Sequence, residues 1–306
     1  MSIKLTILGC HSATPRSDAY PTAQHLEIKE RHFLIDCGEG TQVLLRKYKM
    51  PFAKIRHIFI SHLHGDHFYG LIGLISTFGL LNREHDLHVY GPKGIKEIIT
   101  LQLKLSKSWT KFHLHFHELE SKESVLIYED KKVEVYTIPL DHRVYTNGFL
   151  FKEKTGEHRL NMEAIKQYPE IEICDYHNLK RGKDFVGNSG GTIKNNELTL
   201  PPKKALSYAF CSDTAYKPAI VPILEKVDLL YHEATFLEDK KELAEKTKHS
   251  TAKQAASIAR LAMVSQLIIG HYSSRYDNLL KFKEEAQLLF KQVDLAASGK
   301  IFEINP

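Results

Sequence analysis

A strand, a histidine-rich turn and a helix follow one another between residues 55 and 81, and this segment constrains the fold more than any other part of the chain. The apolar, β-branched run Ile55–Ile60 predicts a strand, and the pattern from about Tyr69 to Leu81 predicts a helix. Between them, Ser61–His67 reads SHLHGDH and holds three imidazoles and one carboxylate. Neutral imidazole and carboxylate are the usual protein ligands of Zn²⁺ and similar ions. The segment therefore predicts a metal-binding loop at the end of a strand.

The spacing within this loop divides its ligands into two pairs. His62 and His64 are two residues apart, so that their side chains can point to the same side. Asp66 and His67 follow Gly65, where the chain can turn sharply and direct them elsewhere. One short loop is therefore expected to serve two neighbouring metal ions. The alternative is a polar surface loop that is merely rich in histidine, and the strand–turn–helix context argues against it.

The composition excludes several classes of protein. The chain has 306 residues, of which 42% are hydrophobic and 26% charged, as in ordinary globular proteins. No stretch approaches the roughly 18 apolar residues that a membrane span needs, so that no membrane partner is expected. The N-terminus predicts a first strand, Lys4–Leu8, rather than a signal peptide. The four cysteines are scattered and form no CxxC motif, which predicts reduced thiols in a cytoplasmic protein.

Basic residues are concentrated in two segments, although the net charge is only +5. Residues 93–111 hold five lysines and one acid, and residues 176–204 hold six basic residues and two acids. Such a local surplus of positive charge can contact a polyanion, or it can be ordinary solvated surface. Charge alone does not choose between the two.

Strands and helices alternate along the chain. Helices are predicted at Tyr216–Glu225 and Ala252–Met263, for example, after a first half that is rich in strands. This order predicts two sheets packed face to face with helices outside, in a single domain over residues 1–306. The stretch from His158 to Pro202 is polar, irregular and rich in glycine. So long a weakly patterned stretch is usually functional or disordered, and we interpret it as an insertion at about residues 155–202.

Three further ligands are expected, because a four-ligand loop cannot complete two metal sites. His142, Asp213 and His271 each follow a predicted strand, which is where the rim of an active site lies. The complete set of candidate ligands is His62, His64, Asp66, His67, His142, Asp213 and His271. A natural division gives three ligands to each metal ion, with Asp213 shared by both.

Several motifs carry a resemblance to a known family. The loop at residues 62–67 resembles the HxHxDH hallmark of the metallo-β-lactamase superfamily. Within that superfamily the chain resembles ribonuclease Z, the family of tRNA 3′-processing endonucleases. The similar segments are FLIDCGEGTQ at 33–42, HEAT at 232–235, HST at 249–251 and HYSSRY at 271–276. The HEAT and HST loops together are more specific than HxHxDH, which indicates only the superfamily.

The resemblance implies a fold and a reaction. The fold class is α/β, a metallo-β-lactamase-like four-layer αβ/βα sandwich with a protruding arm. The implied cofactors are two divalent metal ions, with Zn²⁺ the first candidate and Mn²⁺ the second. The implied reaction is hydrolysis of one phosphodiester bond in precursor tRNA, which leaves a 3′-hydroxyl on the tRNA and a 5′-phosphate on the trailer.

The resemblance also implies roles for four side chains, of which only Asp66 is itself a candidate metal ligand. Asp66 would bind metal and accept the proton of water, and His249 would protonate the leaving oxygen. Glu233 would orient His249. Asp36 would brace the ligand loop, with a simple strand-end cap as the alternative. Ser250 or Thr251 is expected to cap the helix that follows His249.

The family further implies a homodimer and an arm that holds tRNA. The long form of the arm is rich in Gly-Pro, whereas the insertion here has no Gly-Pro repeat. Residues 179–182, LKRG, resemble the Leu-Lys-x-Gly turn of the arm, so that we expect an altered arm with Lys180 and Arg181 as tRNA contacts. Arg275 is a further candidate for a phosphate contact, with a structural ion pair as the alternative.

Two other functions stay open on the sequence alone. A metallohydrolase of small molecules, such as a phosphodiesterase or an arylsulfatase-like enzyme, would share the metal loop. A catalytically silent RNA-binding protein could share the fold, although every candidate ligand is present. His113, His115 and His117 alternate with apolar residues, which suits either a zinc site or a polar strand face.

Overall fold

The computed structural model describes residues 3–14, 16–188 and 190–305. These residues divide into two compact units. The first unit is formed by the described residues up to Lys152 together with Leu206–Asn305, and the second by those of Glu153–Ala205. All seven candidate metal ligands belong to the first unit, whereas Lys180 and Arg181 belong to the second.

One sheet of the first unit has seven strands among the described residues. Numbered in chain order, they are β1 (Ile3–Gly9), β2 (Ala23–Ile28), β3 (Arg31–Ile35), β4 (Ile55–Phe59), β5 (Leu87–Pro92), β6 (Leu114–Leu119) and β18 (Ile301–Ile304). Their order in the sheet is β18-β1-β2-β3-β4-β5-β6. β1 pairs antiparallel with β18 and β2, and β2 pairs antiparallel with β3, whereas β3 to β6 run parallel.

The other large sheet also has seven described strands. They are β7 (Leu126–Glu129), β8 (Val133–Pro139), β9 (Asn147–Glu153), β14 (Ser207–Cys211), β15 (Leu229–Glu233), β16 (Gln266–Gly270) and β17 (Val293–Leu295). Their order is β17-β16-β15-β14-β9-β8-β7. β14 to β17 run parallel, which brings the carboxyl ends of β14, β15 and β16 to one edge of the sheet.

Apolar side chains of both sheets meet in one core. Along β3, Phe33 and Ile35 belong to the core between the sheets, whereas Leu34 packs on the opposite face. This alternation is what a period of two gives to a strand with both faces buried. Aromatic rings join the sheets, since the ring centroids of Phe33 in β3 and Phe151 in β9 are 5.3 Å apart.

Helices cover the outer faces of both sheets. The helices of the first unit are α1 (Thr41–Lys47), α2 (Gly65–Phe68), α3 (Gly70–Leu80), α4 (Ile95–Leu105), α8 (Lys241–Thr247), α9 (Ala252–Leu261) and α10 (Leu280–Gln287). Leu44 of α1, Leu74 of α3 and Ile99 of α4 pack with Leu34 on the outer face of the first sheet. α9 packs on β15 and β16, and α10 packs on α9 and β17. The order helix, sheet, sheet, helix confirms the predicted four-layer sandwich.

The second unit has short elements and a core of its own. Its elements are β10 (Arg159–Leu160), α5 (Met162–Ile165), α6 (Tyr176–Lys180), β11 (Phe185–Val186), β12 (Thr192–Ile193), α7 (Asn195–Leu198) and β13 (Thr199–Leu200). β10 pairs with β13 and β11 with β12, both antiparallel. Its buried apolar residues are Ile165, Ile171, Leu179, Phe185 and Leu198.

The helices predicted at Tyr69–Leu81 and Ala252–Met263 are confirmed as α3 and α9, whereas α8 was not predicted and one predicted helix is of another type. The predicted helix at Tyr216–Glu225 is a 3₁₀ helix at Pro218–Leu224, with Pro218 at its start and Pro222 inside it. Proline has no backbone N–H to donate, which interrupts the hydrogen bonds of an α-helix. None of the helices in the described part of the chain is long and apolar enough to cross a membrane.

Candidate metal centre

The predicted metal loop follows β4 directly. β4 ends at Phe59, and the chain then passes through His62 to His64, which is the residue before α2. α2 is a single turn and carries Asp66 and His67. The loop therefore presents two of its candidate ligands before the helical turn that begins at Gly65 and two from within that turn.

Three other side chains at the site project from strand ends with positive φ. Asp36 follows β3 with φ 54°, Asp213 follows β14 with φ 57°, and His271 follows β16 with φ 61°. This left-handed conformation costs a non-glycine residue about 1–3 kcal/mol and persists only where the surrounding structure imposes it. The backbone at these strand ends is therefore shaped to direct side chains into the site.

One set of donor atoms consists of three imidazole nitrogens and one carboxylate oxygen. His64 Nδ1 lies 3.0 Å from His62 Nε2 and 3.2 Å from His142 Nε2. Asp213 Oδ2 lies 3.5 Å from His62 Nε2 and 3.7 Å from His142 Nε2. All four atoms lie within 4.8 Å of one another, and we call them the first donor set.

The second donor set uses the other oxygen of Asp213. Asp213 Oδ1 lies 3.2 Å from His67 Nε2 and 3.1 Å from His271 Nε2. Asp66 Oδ2 lies 3.4 Å from each of these nitrogens. The two oxygens of one buried carboxylate thus face two separate groups of donors, which is the arrangement that a shared ligand requires.

The distances between donor atoms fit a divalent ion. A tetrahedral Zn²⁺ ion bound at about 2.0–2.2 Å keeps its nitrogen and oxygen ligands roughly 3.3–3.6 Å apart. The nitrogen–oxygen distances in the two donor sets are 3.1–3.7 Å. His67 Nε2 is buried and has no hydrogen-bond partner of good geometry among the described residues, as expected of an atom that faces a cation. The donor sets therefore have the chemistry and the spacing of divalent-metal ligands.

Hydrogen bonds behind the loop determine which ring nitrogen faces the site. Ser61 Oγ donates to Asp36 Oδ2 at 2.9 Å and is left to accept from His62 Nδ1 at 3.0 Å. His67 Nδ1 donates to Asp36 Oδ2 at 2.7 Å. With the proton on Nδ1, the Nε2 atoms of His62 and His67 are free to bind metal. Asp36 thus makes the bracing contacts expected from the sequence.

The remaining Nε2 ligands are oriented by residues that are distant in the chain. His142 Nδ1 donates to the backbone oxygen of Lys248 at 2.8 Å. Thr235 Oγ1 donates to Glu233 Oε2 at 2.6 Å, so that it accepts from His271 Nδ1 at 2.8 Å. Both histidines therefore turn a basic Nε2 toward the donor sets.

The charges at the site favour a bound cation. Burial lowers the pKa of His62 and nearby imidazoles lower it further, so that this ring is neutral and able to bind metal. Burial also lowers the pKa of His67, but three carboxylates outweigh burial and raise that pKa well above its usual value. These carboxylates are Asp213, Asp66 and Asp36. A position that holds a proton this strongly also stabilises a divalent ion.

Curated relatives match this chain over almost its whole length. The protein named ribonuclease Z in Bacteroides thetaiotaomicron is 45% identical over 302 residues, which cover 99% of this chain and 95% of the relative. The ribonuclease Z of Cytophaga hutchinsonii is 46% identical over 307 residues, which cover 100% of this chain and 97% of the relative. The chain belongs to the ribonuclease Z family.

The other comparisons agree on the fold. Human tRNase Z, short form, superposes with a TM-score of 0.72 at 26% identity, over 99% of this chain and 100% of that one. The metallo-β-lactamase fold protein YhfI from Bacillus subtilis has a TM-score of 0.69 at 18% identity, over 99% of each chain. The model of the family described as Anti-Pycsar protein Apyc1 matches residues 3–176. The matched residues include the loop at 62–67 and His142 but not Asp213 or His271. The alignments with the ribonuclease Z relatives cover all seven candidate ligands.

Glu233, in the HEAT loop that marks ribonuclease Z, connects His249 to the second donor set. Its carboxylate is fully buried, and its Oε1 accepts from His249 Nδ1 at 2.8 Å. Its Oε2 binds Thr235 Oγ1, the hydroxyl that orients His271. Burial lowers the pKa of His249, but the ion pair with Glu233 outweighs burial and raises the pKa to about 9. His249 is therefore an imidazolium near neutral pH, and its Nε2–H is the donor that Glu233 does not occupy.

The HST loop of the family leads into a helix, as the sequence predicts. Thr251 caps α9, since its Oγ1 accepts from the amide of Gln254 at 3.2 Å. Ser250, the other candidate cap, instead donates to the backbone oxygen of Thr214 at 2.7 Å. The serine therefore ties the loop of His249 to the loop of Asp213.

A cavity of about 460 Å³ opens beside the donor sets. His64, Asp66, Asp213, His249 and His271 line it, together with Arg143 and Arg275. Arg275 is exposed and forms no ion pair in the described part of the chain, which leaves its guanidinium available to an anion. Arg143 is equally exposed but is absent from the residues predicted from the sequence. The sequence signal for Arg143 is its position directly after the candidate ligand His142, which places it beside the site.

The remaining predicted residues lie away from the donor sets or in the second unit. Lys180 ends α6, Arg181 follows it, and both side chains are exposed.

His117 Nε2 lies 3.1 Å from His88 Nδ1, and His115 Nε2 lies 2.9 Å from Asp86 Oδ2. Among the described residues, every group of three or more donors close enough for a metal ion belongs to the centre at Asp213. The alternating histidines of β6 therefore fit the polar strand face better than a zinc site.

Proposed function

We propose that this chain is a metal-dependent endoribonuclease that removes the 3′ trailer from precursor tRNA. The cut would leave a 3′-hydroxyl on the tRNA and a 5′-phosphate on the trailer. The observation that carries the proposal is the identity of 46% over 307 residues to a ribonuclease Z. The site supports it with candidate metal ligands, a protonated imidazole and two exposed guanidinium groups beside one cavity. Relatives of this kind do not favour a small-molecule hydrolase.

We propose that the centre binds two divalent ions, one in each donor set. Zn²⁺ is the first candidate because most donors are imidazole nitrogens, and Mn²⁺, which prefers the carboxylate oxygens, is the second. The first donor set offers His62, His64 and His142, the second offers Asp66, His67 and His271, and Asp213 would be shared. When bound, such ions lower the pKa of water and stabilise the negative charge that develops on a phosphate.

Asp66 and His249 would move the two protons of the reaction. Burial raises the pKa of Asp66, but His67 and His271 outweigh burial and lower that pKa, so that the carboxylate is ionised, as a metal ligand must be. His249 would donate its Nε2 proton to the 3′-oxygen that leaves. Glu233 would keep His249 protonated and in place. A positioned acid of this kind contributes about 10²–10⁴-fold to the rate.

Arginines and lysines would hold the RNA. Arg143 and Arg275 would contact phosphates beside the scissile bond, because both line the cavity. Lys180 and Arg181 would act as contacts in the second unit, which would serve as an altered tRNA-binding arm over about residues 155–202. A homodimer and a cytoplasmic location complete the proposal, and both rest on the family rather than on the geometry of one chain.

Cleavage of a 3′-extended precursor tRNA by the purified, metal-loaded protein tests this function. We expect one cut at the boundary of the trailer, with a tRNA 3′-hydroxyl and a trailer 5′-phosphate, and no cut after chelation. An intact precursor together with metal-dependent hydrolysis of a cyclic nucleotide or an aryl sulfate would instead support the small-molecule alternative.

A further inference from the structure

Lys248 joins the loop of His142 to the loop of His249 without belonging to either donor set. Its backbone oxygen accepts from His142 Nδ1 at 2.8 Å. Its Nζ donates to the carboxylate of Asp141 at 3.0 Å and 3.3 Å. Lys248 therefore contacts a candidate metal ligand, the residue before that ligand and, through the chain, the candidate proton donor.

The backbone of Lys248 is held in an unfavourable conformation. It follows α8 with φ 59° and ψ 50°, a left-handed conformation in which glycine is usual. The next amide, that of His249, donates to the backbone oxygen of Ala244 at 2.9 Å. The same left-handed conformation follows other helices of this chain, at Lys107 and Met263 for example, and at Lys248 it directs the chain from α8 into the loop of His249.

Asp141 extends the connection to the loop of Asp213. Its amide donates to Thr214 Oγ1 at 3.1 Å, and its backbone oxygen accepts from the amide of Ala215 at 2.8 Å. Asp141 is thus bound through its backbone to the loop of Asp213 and through its carboxylate to Lys248, which begins the loop of His249. The three loops that present His142, Asp213 and His249 consequently share one junction at Asp141 and Lys248.

The ion pair between Lys248 and Asp141 is too exposed to serve mainly for stability. The side chains are 45% and 44% exposed, and ion pairs this exposed to solvent contribute little to the free energy of unfolding. A contact of that strength leaves the fold intact when it is lost. It can nevertheless determine the separation of two loops, and the rings of His142 and His249 lie only 5.0 Å apart.

We propose that Lys248 and Asp141 are positioning residues whose ion pair sets the distance between the proton donor His249 and the metal ligand His142. This inference rests on the proposed function, because it assigns the pair a role in protonating the leaving 3′-oxygen. The two side chains of the pair supply no candidate metal ligand, and Lys248 contacts His142 through its backbone oxygen, which a side-chain substitution keeps. Its loss therefore slows the step that needs the proton and leaves metal binding unchanged.

The test compares Lys248→Met, Asp141→Asn and the double variant on two substrates. Precursor tRNA has a poor leaving group that requires a proton, whereas bis(p-nitrophenyl) phosphate has a good leaving group that does not. We expect each single variant to slow single-turnover cleavage of precursor tRNA by about 10–100-fold, because a small misplacement of a reacting group has effects of this size. The double variant should be no slower than either single variant, as expected of one shared interaction. Hydrolysis of bis(p-nitrophenyl) phosphate, KM for precursor tRNA, metal content and Tm should stay unchanged, and Lys248→Arg should restore the rate.

Each alternative has its own outcome. A wild-type rate for Asp141→Asn with a raised KM for Lys248→Met would show that Lys248 binds RNA directly, and it would overturn the proposal. Lost metal or a lowered Tm in the single variants would assign the pair a purely structural role. Crystal structures of the wild-type protein and of Asp141→Asn test the proposal without an activity measurement. An unchanged separation of the His142 and His249 rings would overturn it. If the wild-type protein leaves precursor tRNA intact, the proposed function is wrong. The two crystal structures would still show whether the ion pair sets the separation of the His142 and His249 rings.

Discussion

Polar side chains of the metal centre are buried and partnered, whereas the basic side chains of the second unit are exposed. His62, Asp213 and Glu233 expose at most 2% of their surface. Lys180, Arg181 and the nearby lysines of the second unit are exposed to solvent. Hydrolysis requires reacting groups fixed to a fraction of an ångström, which rigid strand ends can provide. Contact with a phosphate backbone requires charge more than exact placement, and exposed basic side chains on a small unit suffice for it.

Because of this difference, substitutions in the metal centre and substitutions in the second unit should impair different properties of the protein. Substitutions at the centre should reduce metal binding or the chemical step while the affinity for RNA persists. Changes in the second unit should reduce the affinity for RNA while metal binding and simple hydrolysis persist.

Asp213→Ala should remove most of the bound metal and reduce cleavage to the level of the metal-free protein. The reason is that the two oxygens of Asp213 face both donor sets, at 3.1–3.7 Å from four imidazole nitrogens. Metal analysis after dialysis measures the effect, with the exposed carboxylate variant Asp277→Ala as the control. Two equivalents of metal retained by Asp213→Ala would show that this carboxylate is not shared.

His249→Ala should slow single-turnover cleavage by about 10²–10⁴-fold while metal content stays normal. His249 lies within 4.8 Å of donor atoms of Asp213 and His271, but its Nδ1 is bound to Glu233 and it belongs to neither donor set, so that its loss leaves both sets complete. His85→Ala, which removes an exposed imidazole, is the matched control. Cleavage at the wild-type rate would eliminate the role of His249 as the acid.

Replacement of residues 160–200 by a short Gly/Ser linker should weaken tRNA binding and spare the centre. All seven candidate ligands lie outside the replaced segment, and Lys180, Arg181 and Lys183 lie within it. The slope of log affinity against log salt should become shallower by about 0.7–0.9 per lost phosphate contact. Hydrolysis of a small phosphodiester should survive. Loss of that activity would show that the segment belongs to the core, and an unchanged salt slope would show that it does not hold RNA.

Glu233→Gln should shift the alkaline limb of the pH–rate profile to lower pH. Burial lowers the pKa of His249, but Glu233 and Asp213 raise it to about 9, and the proposed reaction would use the protonated form of this imidazole. Without the carboxylate, the pKa falls toward the usual value of about 6.5, so that the acid is lost earlier as pH rises. The profile of kcat/KM for precursor tRNA measures the shift. A limb that stays in place would assign the alkaline limb to another group.

Local signals made much of the fold and of the donor sets predictable. The strand, turn and helix around Ser61–His67 are adjacent in sequence, and so are Thr251 and the helix that it caps. Three further candidate ligands could be proposed because His142, Asp213 and His271 lie within three residues of the ends of β8, β14 and β16. These features depend on backbone periodicity and on residues within a few positions of each other, which a single sequence displays.

The partners of the ligands could not be predicted in the same way. The backbone oxygen of Lys248 binds His142 across 106 positions of sequence, and Thr235 binds His271 across 36. Neither contact follows from periodicity, because each depends on how separate loops meet in the folded chain. The 3₁₀ helix at Pro218–Leu224 is a different case, since its prolines were visible and the apolar pattern outweighed them in the prediction.

The most direct test of the account is a titration of the metal-free protein with Zn²⁺, in which bound metal per chain and cleavage of a 3′-extended precursor tRNA are measured on the same samples. The account predicts two equivalents bound per chain and a single cut at the trailer boundary that reaches its full rate only as the second equivalent binds. Full cleavage with one equivalent or with none, or two bound equivalents without cleavage of the precursor, would contradict it.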